Sequence, residues 1–191
     1  MVDFAELLSE YGYCMHNINK KRLNSIGNMI LYHKNIFCIE KQIEKSCSVH
    51  AILSHLETNF KLYMINVHLK AGLTSGENER LNQLRSCMKE IEKNEKELKL
   101  DFICINGDFN DDLEYSGLLY NLLIDSKYCI NVSFPSCTFK DGSVLSFDHA
   151  ITKHADVKYI KPPNIQKNPE IPNNRIASDH FPIYYELSYQ F

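Results

Sequence analysis

Residues 101–106, Asp-Phe-Ile-Cys-Ile-Asn, carry four consecutive apolar side chains and are stopped by Gly107. A short run of that kind marks a strand covered on both faces, because every side chain needs an apolar neighbour whichever way it points. The chain must therefore supply a packed layer on each side of this strand. At 191 residues it has the length for one domain and can bury roughly 70% of the surface its unfolded form exposes. Hydrophobic residues are 44% of the chain and charged residues 24%, and eleven Tyr with ten Phe favour strands and buried surface.

The segments around that strand predict its covering layers. Phe4, Leu7, Leu8 and Tyr11 recur at helical spacing behind an Asp3/Glu6 capping box and run to Gly12, which predicts a short helix. Residues 28–32, 35–40, 47–56 and 60–69 read as strands, the last two joined by a hairpin at Glu57, Thr58 and Asn59. Thr74 and Glu77 form a second capping box, and Leu81, Leu84, Met88, Ile91 and Leu98 then share one helical face. Leu118, Leu119, Leu122 and Leu123 predict another helix, and residues 145–152, 157–160 and 182–187 predict later strands. Residues 161–174 hold four of the six Pro and read as a surface loop. More strands than helices, with the helices interspersed, predict stacked sheets with helices packed outside.

Composition narrows the partners. A net charge of −3 gives no basic footprint of the kind duplex-wrapping proteins show, so any nucleic acid is engaged locally. Seven cysteines form no C-x-x-C pair, and an odd number cannot all pair within one chain. Several sit in apolar surroundings as small hydrophobes, which points to a reducing, intracellular compartment, the cytoplasm first, with nucleus and mitochondrion as alternatives. Neither a signal-peptide core nor an apolar run of about 18 residues occurs, so no membrane partner is expected.

Three polar clusters lie at the ends of apolar strand patterns. In residues 62–68, alternation puts Asn66 and His68 on the face of Leu62 and Met64. Gly107-Asp108-Phe109-Asn110 follows the buried strand and aims a carboxylate and an amide the same way if the backbone stays extended, although Gly-Asp-x-Asn-Asp is also good turn chemistry. Asp148 sits inside an apolar strand and needs a partner. His180, in Ser178-Asp179-His180, is the candidate: a carboxylate on one ring nitrogen fixes the tautomer and supports a positive imidazole. A structural Asp–His pair at a strand end is the other reading of these residues.

Taken together, Gly107-Asp108-Phe109-Asn110, Asp148 in an Asp-x-x-Ile setting and Ser178-Asp179-His180 resemble, in order, signatures of the endonuclease/exonuclease/phosphatase superfamily. Asn66-Val67-His68-Leu69-Lys70-Ala71, with Arg80 and Gln83 following, is similar to its nocturnin/messenger-RNA deadenylase branch, as are Tyr11-Gly12-Tyr13 and Gly27-Asn28-Met29-Ile30. The resemblance implies a four-layer α/β sandwich, two stacked mixed sheets with helices outside, and hydrolysis of a phosphoester by an activated water with Mg²⁺, Mn²⁺ being the alternative.

Carried over by position, Asp108 would orient and deprotonate the water and Asn110 would hold it or the phosphate. His68 and His180 would stabilise phosphoryl oxygens, with Asp148 orienting His180. Asn66, Lys70 and Arg80 would bind substrate, and Asp179 would sit by the metal. Two departures accompany the resemblance. His149 stands where the branch usually has Tyr. The family's early Asn strand and its Gln-Glu strand, whose Glu binds the metal, have no counterpart, since Met1-Val2-Asp3 is similar to the sequence just beyond that Glu.

Residues 1–191 are therefore expected to be a partial domain without its first strands. The implied activity is a 3′-exoribonuclease of the deadenylase type acting on single-stranded RNA. The alternatives are a phosphatase acting on a small nucleotide such as NADP(H), and a non-catalytic interaction module.

Overall fold

The apolar run at 101–106 becomes the centre of a mixed sheet. A computed structural model describes residues 11–15, 27–72, 75–113, 117–131, 135–138, 143–160 and 178–188. Within them the elements run β1 (Tyr11–Met15), β2 (Met29–His33), β3 (Phe37–Lys45), β4 (Ser48–His55), β5 (Lys61–His68), α1 (Glu77–Glu97), β6 (Phe102–Asp108) and α2 (Leu118–Asp125). The chain continues through β7 (Cys129–Ile130), β8 (Cys137–Thr138), β9 (Val144–Leu145), β10 (Asp148–Lys153), β11 (Asp156–Ile160) and β12 (Tyr184–Ser188).

Six strands form the main sheet in the order β3-β4-β5-β6-β10-β7. The β5–β6 pair is parallel and the other pairs are antiparallel. A parallel pair needs a crossover, and α1 provides it. On one face of the sheet, Leu84 and Ile91 of α1 and Leu119 and Leu123 of α2 pack with Ile52, Tyr63, Ile65, Ile103 and Ile105. On the other face, Ala51, Leu62 and Cys104 meet Ile30 of β2 and Val157 of β11, with Tyr185 and Leu187 of β12 against them. The antiparallel β1–β2 and β11–β12 pairs thus cover the face opposite the helices. This α/β layering meets the demand set by the apolar run.

Several elements differ from expectation. Tyr11 and Gly12 belong to β1 rather than to a helix, and residues 1–10 lie outside the described residues. Strand geometry prevails because Gly12 lies under Tyr32 of the paired strand, and a Cβ there would collide with that ring. β3 continues past Glu40 to Lys45 because its charges have partners on α1: Lys45 meets Glu90 at 3.4 Å and Lys41 meets Glu97 at 3.7 Å. Thr74 lies outside the described residues, and α1 begins after Gly76 with no side-chain cap.

β6 does not stop at Gly107 but runs through it to Asp108. Gly107 has φ +125°, and a Cβ there would collide with the Val67 carbonyl oxygen. The hairpin at residues 57–59 is as expected, with Asn59 at φ 58°. The loop expected at 161–174 lies outside the described residues. Among the described residues no helix is long and apolar enough to cross a membrane.

Candidate active site

Strand register assembles the site. His68 at the end of β5 is the lateral partner of Asp108 at the end of β6, and Asp108 is the partner of Asp148 at the start of β10. Directly paired residues share a face, so the three side chains form a row across the sheet end. That face is the one covered by the two-stranded pairs, because Leu62, Cys104 and Ala150 precede or follow the three residues on it. The row ends where the apolar core ends. Side-chain exposures are 32% for His68, 16% for Asp108 and 18% for Asp148, so each reaches solvent without being loose in it.

His180 closes the row from a distant segment. Its Nδ1 lies 2.7 Å from Asp148 Oδ2, a separation of a charge-assisted hydrogen bond. That bond raises the imidazole's pKa above its usual value, with burial opposing it. Ser136 holds both partners in place and was not anticipated. Its hydroxyl oxygen accepts the Phe147 N–H at 3.1 Å and the Asp148 N–H at 3.0 Å, and its carbonyl accepts the Phe181 N–H at 2.7 Å. A buried serine whose hydroxyl holds one segment and whose carbonyl holds another, distant in sequence, leaves no mark in the sequence.

Asp108 and Asn110 meet, but not by extension of the strand. Asn110 turns at φ 49°, its N–H donates to Asp108 Oδ1 at 2.8 Å, and its Nδ2 reaches Asp108 Oδ2 at 3.2 Å and the Leu69 carbonyl at 3.0 Å. The turn chemistry and the convergence of carboxylate and amide therefore coexist. Phe109 goes to the core as expected, fully buried. Burial raises the Asp108 carboxyl above the ordinary carboxylate value, and Asp148 adds to that, while the Asn110 N–H, His180 and His68 oppose it. His68 Nε2 lies 3.7 Å from Asp108 Oδ2.

The remaining candidates divide. Asn66 donates from Nδ2 to the Met29 carbonyl at 2.9 Å, tying β5 to β2 beside the row. Lys70 is exposed just beyond His68, and Asp179 is exposed next to His180. Arg80 is placed differently from expectation. It is 2% exposed, with its guanidinium bonded to the Lys70 and Gly72 carbonyls and 3.4 Å from Asp111, so it is a buried strut and not a cation open to substrate. His149 takes an aromatic's place: it is fully buried, edge-on to Phe109 at 5.6 Å, and its Nε2 meets the Asp111 carbonyl at 2.9 Å. Burial lowers its pKa, so the ring is neutral.

Among the described residues no group of three or more His, Cys, Asp or Glu side chains is arranged to hold a metal ion. Asp179 by itself falls short of the near-octahedral oxygen shell that Mg²⁺ requires. The residues described do not make a complete magnesium site.

Solved proteins of the endonuclease/exonuclease/phosphatase class share this α/β fold with the chain. A mannosyl-6-phosphatase of Bacteroides thetaiotaomicron VPI-5482 superposes with TM-score 0.70 at 18% identity, over 97% of this chain and 79% of that one. The human nocturnin catalytic domain, solved with a bound sulfate anion, gives 0.68 at 17% identity over 98% and 76%. An endonuclease/exonuclease/phosphatase from Bacteroides vulgatus gives 0.71 at 14% identity over 97% and 79%. No family model matches the sequence, and neither does any curated protein.

Proposed function

We propose that this chain is a phosphoester hydrolase of the 3′-exoribonuclease type, acting on single-stranded RNA through an activated water. The observation that carries the reading is the joining of Asp148 and His180 at 2.7 Å beside Asp108. Residues 32 apart in the chain converge there on the residue that ends the central strand. An Asp–His pair facing a second carboxylate suits phosphoryl transfer, which is mainly positioning and charge stabilisation.

In this reading Asp108 takes the proton of a water as its oxygen bonds to phosphorus, and burial makes the carboxylate a stronger base than one in water. The P–O3′ bond breaks, releasing a 5′-phosphorylated nucleotide, and the 3′ oxygen leaves as a hydroxyl with a proton from solvent. His180, whose charged form Asp148 favours, and His68 face the phosphoryl oxygens, and Asn110 orients the water. Asn66 and exposed Lys70 bind the strand. Mg²⁺ or Mn²⁺ is the proposed accompanying ion and Asp179 would supply one ligand.

Phosphatase action on a small nucleotide such as NADP(H) is the second reading, favoured by the presence of a phosphatase among the proteins of like fold. Parallel assays on oligo(A), mixed RNA, abasic DNA and NADPH, each with Mg²⁺ and with chelator, separate the two. Shortening of oligo(A) from its 3′ end in Mg²⁺ is the expected result. Phosphate release from NADPH alone would establish the second reading, and inertness towards all four would support an interaction module.

A further inference from the structure

Arg80 stands in the first turn of α1 with almost no exposure, and a buried guanidinium is costly unless its charge and donors are met. Its two Nη groups are met by two different loops. Nη1 donates to the Gly72 carbonyl at 2.6 Å and the Lys70 carbonyl at 3.2 Å, in the loop that follows His68. Nη2 faces Asp111 Oδ2 at 3.4 Å, in the loop that follows Asp108. The loops also touch each other: the Leu69 N–H donates to the Asp108 carbonyl at 2.9 Å, and Asn110 Nδ2 donates to the Leu69 carbonyl at 3.0 Å. Asp111 in turn gives its carbonyl to His149, the residue after Asp148.

The turn before α1 fits closely around the guanidinium. A Cβ at Gly76 would come within 2.7 Å of the Gly72 carbonyl oxygen and 2.8 Å of Arg80 Nη1. Arg is the side chain that meets this demand, since its planar fork can bond two carbonyls and a carboxylate together, whereas the single nitrogen of Lys has no such span.

From this geometry we infer that Arg80 is a positioning residue, which fixes the loop after His68 against the loop after Asp108 and so sets the spacing of the reacting groups. The inference rests on the hydrolase reading for its effect on turnover. It does not rest on that reading for its effect on the loops. Because the guanidinium is walled off from solvent it makes no substrate contact of its own, so its loss acts chiefly on kcat, with a smaller effect on KM through the loop that carries Lys70.

The test uses the whole chain with Arg80→Lys and Asp111→Asn, and Arg80→Ala with and without added guanidinium chloride at millimolar concentration. Amide hydrogen exchange is read at Leu69, Lys70 and Asn110 against core amides of β6, with turnover on oligo(A) alongside. In Arg80→Lys the loop amides should exchange at least about tenfold faster while β6 is unchanged, and kcat should fall about tenfold with KM within about twofold. Guanidinium should restore both in Arg80→Ala.

Unchanged loop exchange in a folded Arg80→Lys protein overturns the inference, as does a rise in KM without loss of kcat, which would put Arg80 on the substrate. If Arg80→Ala does not fold, Arg80→Lys and Asp111→Asn decide the matter. If the unaltered chain turns over none of the substrates, the hydrolase reading fails, and exchange alone decides whether Arg80 fixes the loops.

Discussion

Two histidine-centred polar networks occupy the same six-stranded sheet, and their histidines titrate in opposite directions. His180 sits at the rim, 27% exposed, and the Asp148 carboxylate raises its pKa. His50 sits in β4 under α1, fully buried between the Ser48 hydroxyl at 2.8 Å and the Tyr63 hydroxyl at 2.9 Å, and burial lowers its pKa to about 4. Nearby, Asn94 of α1 reaches the Tyr63 hydroxyl at 3.4 Å and accepts from Lys41 at 2.7 Å. The difference lies in the partner and not in the ring. A carboxylate at the rim favours the charged ring, whereas burial among neutral hydroxyls disfavours it. On the hydrolase reading the rim network meets negative charge, while the core network ties sheet to helix.

The contrast breaks most readily at His180. In a version of the protein that turns over, His180→Ala should reduce turnover by about 10²-fold or more, since loss of one preorganised charge stabiliser costs roughly 3 kcal/mol. Its melting temperature should move little. Near-normal turnover would remove His180 from the mechanism.

Acid titration tests the core network. His50 in the fold refuses a proton until about pH 4, whereas the unfolded chain accepts one near the ordinary value of 6.5. Its contribution to stability is therefore complete above about 6.5 and is lost as pH falls towards about 4, by an amount on the order of 3 kcal/mol. His180 has the opposite sign: its folded pKa is raised, so its contribution is complete below 6.5 and declines as pH rises through the folded value. Denaturant melts at several pH values should show the acid loss, and His50→Gln should lessen it. An equal slope in both proteins would contradict the neutral, buried assignment.

Tyr63→Phe removes the hydroxyl shared by His50 and Asn94 and should cost about 1–3 kcal/mol by leaving buried groups unsatisfied. Turnover per folded molecule should not change. Asp148→Asn sharpens the other side with the smallest effect. Asp148 raises both His180 and Asp108, so both limbs of the pH–rate profile should shift to lower pH. A profile that moves on one limb only would separate Asp148 from the other group.

Legibility in the sequence follows the same division. The rim was readable because chemistry there is concentrated at strand ends: an apolar run ending in Gly-Asp-Phe-Asn, and an Asp inside an apolar strand that demanded a partner. The core network was not. Ser48, His50 and Tyr63 lie within segments that read simply as strand, and nothing local says that they meet face to face under a helix. Arg80 was misplaced for a related reason, since an Arg ten residues after Lys70 looks like a surface cation until its carbonyl and carboxylate partners are seen. The end of β3 was cut short because Lys41, Glu44 and Lys45 look like loop, and the ion pairs that admit Lys41 and Lys45 are on α1.

On the hydrolase reading, the row of His68, Asp108, Asp148 and His180 carries the reaction and the buried network does not. The most direct measurement is the rate of oligo(A) hydrolysis by Asp108→Asn beside Tyr63→Phe, each corrected for the folded fraction. The account predicts a loss of about 10²-fold or more for Asp108→Asn, with folding intact, and an unchanged rate for Tyr63→Phe. Retention of the rate in folded Asp108→Asn would contradict it.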